Sequence, residues 1–132
     1  MDGKILRWND LDGSILLGKV FSRPVEISQI DIFKVTVDRE GPTVIIEFDI
    51  IGVLPDNPPV KWGKNFNRCH GGLNCSGVAS IATNGISSNM PADIEIKKID
   101  QLYKIIITGD DISIMIECLH AGFMGPSVYV SE

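Results

Sequence analysis

Cysteine is scarce in this sequence, and so is aromatic surface. Three cysteines, Cys69, Cys75 and Cys118, stand in 132 residues, an odd number that does not fit a fully paired disulfide framework. The opening Met1-Asp2-Gly3-Lys4 has neither the apolar segment nor the small-residue cleavage site of a secretory signal. The expectation is a cytoplasmic protein with reduced thiols. No apolar run approaches the roughly 20 residues that a membrane-spanning helix needs, so no membrane partner is expected. Positive charge is in the minority, with 12 Lys and Arg against 17 Asp and Glu and a net charge of -5. A field of that sign repels phosphate backbones and attracts basic partners, which excludes nucleic acid as the expected partner.

What is present is a chain with 44% hydrophobic and 22% charged residues, at a length that suits one core, and residues 1–132 are read as a single β domain. One stretch suits a short helix: Asn9 or Asp10 as cap, then Leu11, Ile15, Leu16 and Leu17 before Gly18. From Val25 the period is two. Ile30 and Ile32 share a face, and the extra residue Phe33 before Val35 and Val37 predicts a bulge. After the turn 38–42, Val44, Ile46, Phe48 and Ile50 alternate with Thr43, Ile45, Glu47 and Asp49, the return arm of a hairpin with an acidic outer edge. A proline-rich loop from Gly52 to about Gly63 follows, then two strands at 67–75 and 78–82. A meander through Ile94 and Ile96, Tyr103 to Ile107, and Ile112 to Cys118 comes next, with a short edge strand at 127–131. Seven or eight strands at this spacing predict a mainly β fold, an antiparallel sandwich or a strongly curled sheet.

Chemistry-bearing constellations are few. Cys69, Cys75, Cys118 and His120 are soft metal ligands, and Cys118 and His120, two apart on a strand, can face one pocket. Their spacing lacks the close cysteine pairs of a zinc site, and ordinary buried thiols are the better explanation. His70 follows Cys69 directly, so a strand sends the two side chains to opposite faces, against a thiol–imidazole pair. There is no G-x-S-x-G elbow, and Gly71-Gly72 lacks the Lys-Ser/Thr of a phosphate loop. Glu47 with Asp49, and Asp93 with Glu95, set carboxylates about 7 Å apart along a strand, which is also how a solvated face looks. The reading is that the protein is not an enzyme and carries no cofactor.

The order of features points further. The turn Asp38-Arg39-Glu40-Gly41-Pro42-Thr43, a proline loop ending in Lys61-Trp62, then Leu73-x-Cys75-x-Gly77-Val78, and a meander ending in Ser127-Val128-Tyr129 together resemble the Immunity protein 50 family, from about Phe21 onward. That resemblance implies stoichiometric inhibition of a cognate bacterial toxin domain in the cytosol, of the kind encoded in polymorphic or contact-dependent inhibition systems, with no catalytic residues. For a toxin with a basic groove, such as a nuclease, the candidate contacts are Glu47, Asp49, Asp93, Glu95, Asp110 and Asp111, with Trp62 as an apolar anchor. Two other functions compete: a carbohydrate or small-ligand module using Trp62, Trp8 and Tyr103, and a zinc or thiol enzyme on the cysteines and His120.

Overall fold

The computed structural model describes residues 3–131. Its elements in chain order are β1 (Gly3–Ile5), a 3-10 turn at Trp8–Asp10, α1 (Ile15–Val20), β2 (Gln29–Asp38), β3 (Thr43–Ile50), a second 3-10 turn at Val60–Trp62, β4 (Arg68–Asn84), β5 (Pro91–Ile99), β6 (Leu102–Gly109) and β7 (Ser113–Tyr129). The strands form one antiparallel sheet in the order β1-β5-β2-β3-β4-β7-β6, and a further pairing of β5 with β6 joins its two ends. Of the two expected architectures, the strongly curled sheet is the one adopted, and the curl goes all the way to closure.

The hairpin of β2 and β3 forms as the alternation predicts. Val44, Ile46, Phe48 and Ile50 are buried, and the register slips between Ile32 and Lys34, so Phe33 is the bulged residue. The meander of β5, β6 and β7 likewise turns at 100–101 and 110–112. Its isoleucines, Ile94, Ile96, Ile105, Ile107, Ile112, Ile114 and Ile116, line the interior.

Two expectations are corrected. The strands placed at 67–75 and 78–82 are one, and the edge strand at 127–131 is the end of β7, so that β4 and β7 are each 17 residues long and pair from Arg68↔Tyr129 to Asn84↔Ser113. Register shifts at His70/Gly72 and Val78/Ser80 bend this ribbon, letting its first part pair with β3 and its last part with β6. Local sequence reads such bends as strand ends because glycine supplies no side chain to pack. The helix also differs. Asn9 does not cap it; the Asn9 Oδ1 accepts the Val25 N–H at 2.8 Å, and α1 runs through Gly18 to bury Leu17 and Val20.

Trp8 plugs the interior at 0% exposure. Its ring lies 5.2 Å from that of Phe48 and 5.6 Å from that of Phe123, contacts worth about 0.5–1.5 kcal/mol each beyond burial. The strap that carries it is held by Gly13, at φ 81, where a Cβ would stand 2.3 Å from the Phe123 carbonyl oxygen. Only glycine passes there, and the close approach lets the Phe123 N–H reach the Asp12 carbonyl at 2.7 Å.

Trp8→Ala is expected to cost about 3–5 kcal/mol of unfolding free energy, whereas Ile86→Ala, at a site 89% exposed, should stay within about 0.5 kcal/mol. Urea titration of both variants measures this, and equal midpoints would show that the indole is not a core residue.

Candidate functional site

The polar groups that gather on the barrel's outer wall do so through register. Asp31, Asp49, His70 and Ser127 are successive cross-strand partners on β2, β3, β4 and β7. Each has the parity opposite to a core neighbour, Ile30, Ile50 or Cys69 for the first three. Tyr129 lies two residues beyond Ser127 on the same side, opposite Arg68.

Asp49 is the centre of this group. Its Oδ2 accepts the Tyr129 hydroxyl in a short hydrogen bond, and its Oδ1 lies 3.3 Å from the Nδ1 of His70. The His70 ring is stacked on Phe33 at 5.6 Å and meets Tyr129 edge-on at 6.5 Å. The acidic outer edge expected at Glu47 and Asp49 is therefore corrected in one half: Asp49 is only 5% exposed, because an aromatic from the far end of the chain covers it and shares its charge. Burial, then the hydrogen bond to Asp49 and its negative charge, pushes the Tyr129 phenol up to about 12. Burial, seconded by Asp49, likewise pushes the Cys69 thiol up to about 12.

Beside this cluster opens a cleft of about 500 Å³. Asp31, Asp49, Arg68, Asn67, Asn89 and Leu54 are among its lining residues. Asp31 fixes one wall by accepting the Met90 N–H at 3.1 Å. Asn67 fixes another, bonding both the Ser131 carbonyl and the Ser131 N–H at 2.8 Å. The loop before it is tied to α1, since Asn57 donates to the Lys19 carbonyl at 3.1 Å and its N–H to the Val20 carbonyl at 2.9 Å. Asp56 accepts the Ser22 N–H at 2.8 Å and the Ser22 hydroxyl, bonds that hold its carboxyl below the usual range.

The other nominated residues fall elsewhere. Glu47 is half-buried, across β2 from Lys34. Glu95 is matched by Lys97 at 3.1 Å and Lys4 at 3.7 Å, and the Lys97 hydrogen bond lowers its pKa. Asp93, Asp110 and Asp111 are exposed. Register brings them to one end of the barrel, since Asp93 pairs with Thr108 and Ala92 with Gly109. Trp62 is half-buried in its 3-10 turn.

The metal candidates are separated. Cys69, Cys75 and Cys118 are buried inside, while His120 lies outside with its Nε2 2.8 Å from Asp12. Alternation would put Cys118 and His120 on one face, but Leu119 and His120 are both exposed before Ala121 is buried, so β7 changes phase between them. Among the described residues no cluster of three metal-ligating side chains occurs. The Cys118 thiol hydrogen-bonded to Cys75, together with burial, pushes Cys75 far up, away from a reactive thiolate. The aromatic platform is corrected too: Trp8 is core, and Tyr103 lies under the Lys98 ammonium at 5.1 Å.

Chemically, an Asp–His pair needs a nucleophile to serve. Ser127 stands across from His70, yet no hydrogen bond joins them among the described residues. What the wall presents is a surface with a polar cleft lined by Asp31, Asp49, Arg68 and asparagines, and an acidic end. Tyr129, Phe33 and Arg68 were missed as site residues in the sequence, and His70 was weighed only beside Cys69, because their meeting with Asp49 depends on pairings of residues 21 to 80 positions apart. The adjacent Asp56-Asn57 in a proline-rich loop was the one local signal that this loop is anchored.

Fold and surface together define an antiparallel β-barrel, closed by the pairing of β5 with β6, with a cluster of polar groups on its outside. Within that class the chain belongs to the Immunity protein 50 family, whose model matches residues 13–129, from just before α1 to the last residue of β7. Comparison with curated proteins and with solved structures found no match.

Raised above its usual 10.0, the Tyr129 pKa means that the folded state holds this proton more tightly than the unfolded one. Its contribution to stability is complete below pH 10 and is lost as pH rises toward about 12. Alkaline unfolding of the wild type and of Tyr129→Phe, followed with tyrosinate absorbance, tests this. The variant should lose the late-titrating phenol and the part of the alkaline slope that belongs to it; an unchanged titration would remove Tyr129 from the cluster.

Proposed function

We propose that this chain is the antidote to a bacterial toxin domain, binding it one-to-one in the cytosol and blocking it by contact rather than by catalysis. The observation that carries this reading is the family match over residues 13–129. The distribution of charge supports it. Asp49 is engaged by Tyr129 and His70, and Glu95 by two lysines, so of the nominated carboxylates the exposed ones outside any ion pair among the described residues, Asp93, Asp110 and Asp111, are those that steer a partner. An acidic end on a protein of net charge -5 suits a target with a basic active groove, a nuclease for example, because the long-range field raises the encounter rate while buried contacts set residence. Trp62 and Glu47 serve as flanking contacts, the aromatic as an apolar anchor on a tethered loop.

A second reading, a small-ligand module, rests on the cleft of about 500 Å³ whose lining includes Asp31, Asn67, Arg68 and Asn89, a volume within the range of ligand pockets.

Co-expression with the toxin domain encoded beside it should rescue growth and yield a stable one-to-one complex. Replacing Asp93, Asp110 and Asp111 together by Asn should slow association by about tenfold or more at low salt, and the difference should shrink as salt rises. Killing that proceeds unchanged, with no complex formed, would end the antidote reading. Rescue with a salt-independent rate would end its electrostatic part.

A further inference from the structure

From Phe33 onward, β2 is paired on one side only. Its register with β5 stops at Asp31↔Pro91, the Ile32 N–H to the Met90 carbonyl is the last link, and pairing with β3 continues alone to Asp38↔Thr43. Among the described residues nothing bonds the other edge of this segment. The edge borders a groove of about 560 Å³ whose lining includes Ile32, Val35, Ile112 and Ile114 and, from the segment that follows β4, Gly85, Ile86, Ser87 and Ser88. Phe33 is 54% and Val37 60% exposed beside it. An open strand edge with apolar neighbours is a template for another strand.

What fits the edge follows from its own side chains. Lys34 is the kind of guard that keeps strange strands away, since pairing would bring another chain against its hydrated ammonium. That guard is overcome by a strand that offers a carboxylate opposite it. The segment Lys34-Val35-Thr36-Val37-Asp38 does so for itself. Antiparallel pairing about a two-fold axis at Thr36 sets Lys34 against Asp38 twice on one face and Val35 against Val37 twice on the other. Neither Lys34 nor Asp38 is in an ion pair among the described residues. Asp38 uses only Oδ1, which accepts the Glu40 N–H at 2.9 Å.

We propose that the chain associates with a second copy of itself through this edge, β2 against β2, centred on Thr36. The pairing extends each barrel wall into a sheet continuous across the two-fold and covers Phe33 and Val37. Nothing in it depends on the antidote reading.

Sedimentation velocity over a concentration series tests this on the wild type, Lys34→Asp, Asp38→Lys, Thr36→Lys and the double variant K34D/D38K. The altered side chains are all exposed, and retained circular dichroism separates lost association from lost fold. The wild type should dimerise with rising concentration. Each single reversal makes two attractive pairs repulsive and should weaken the dimer by about tenfold or more. Thr36→Lys, which puts two ammoniums on the axis, should abolish it, and the double variant should restore it. A chain still monomeric at about 0.1 mM would overturn self-association and leave the edge to an extended segment of another protein. A dimer indifferent to the single reversals, or one the double variant fails to restore, would place the interface elsewhere and overturn it equally. A monomer that still rescues growth would overturn this inference alone.

Discussion

An antiparallel sheet of seven strands has two edges, and each carries a row of unpaired backbone donors and acceptors. In this protein β5 removes most of that cost by taking three neighbours. It pairs with β6 along its length, and on its other side with β2 near its start and β1 near its end. Every other feature depends on that arrangement. Closure separates an inside, filled by isoleucines and plugged by Trp8, from an outside on which all ionised groups must be placed. It also requires β4 and β7 to serve two walls at once, which is why both are long and bent.

The same separation governs reactivity. The three thiols are on the inside, so the residues that looked most like chemistry in the sequence pack in the core. Asp49, the one buried carboxylate among the described residues, is reached from outside by Tyr129 and His70. A charge in that position is tolerable because hydrogen bonds meet it, and it staples the last strand to β3 across two interstrand spacings.

The barrel closes, yet one stretch of strand edge is left unpaired. β5 follows β2 only to Asp31, and the bulge at Phe33 turns the rest of β2 away. The edge left there is short, charged at both ends and apolar between, which makes it selective where a uniform edge would be adhesive.

The sequence by itself determined the secondary structure type, the β2–β3 hairpin with its bulge, the meander and most of the core. All of these follow from side-chain alternation at period two, a property of neighbours in the chain. It also carried the family, which the match over residues 13–129 shows. Only the tertiary structure decided that Asp49 is buried, that His120 parts from Cys118, that Trp8 is a plug, and that the sheet closes. Each of these turns on which strand lies beside which, and a one-residue change of register or phase exchanges inside for outside. Alternation records that a strand has two faces; the partners across the sheet decide which face meets water.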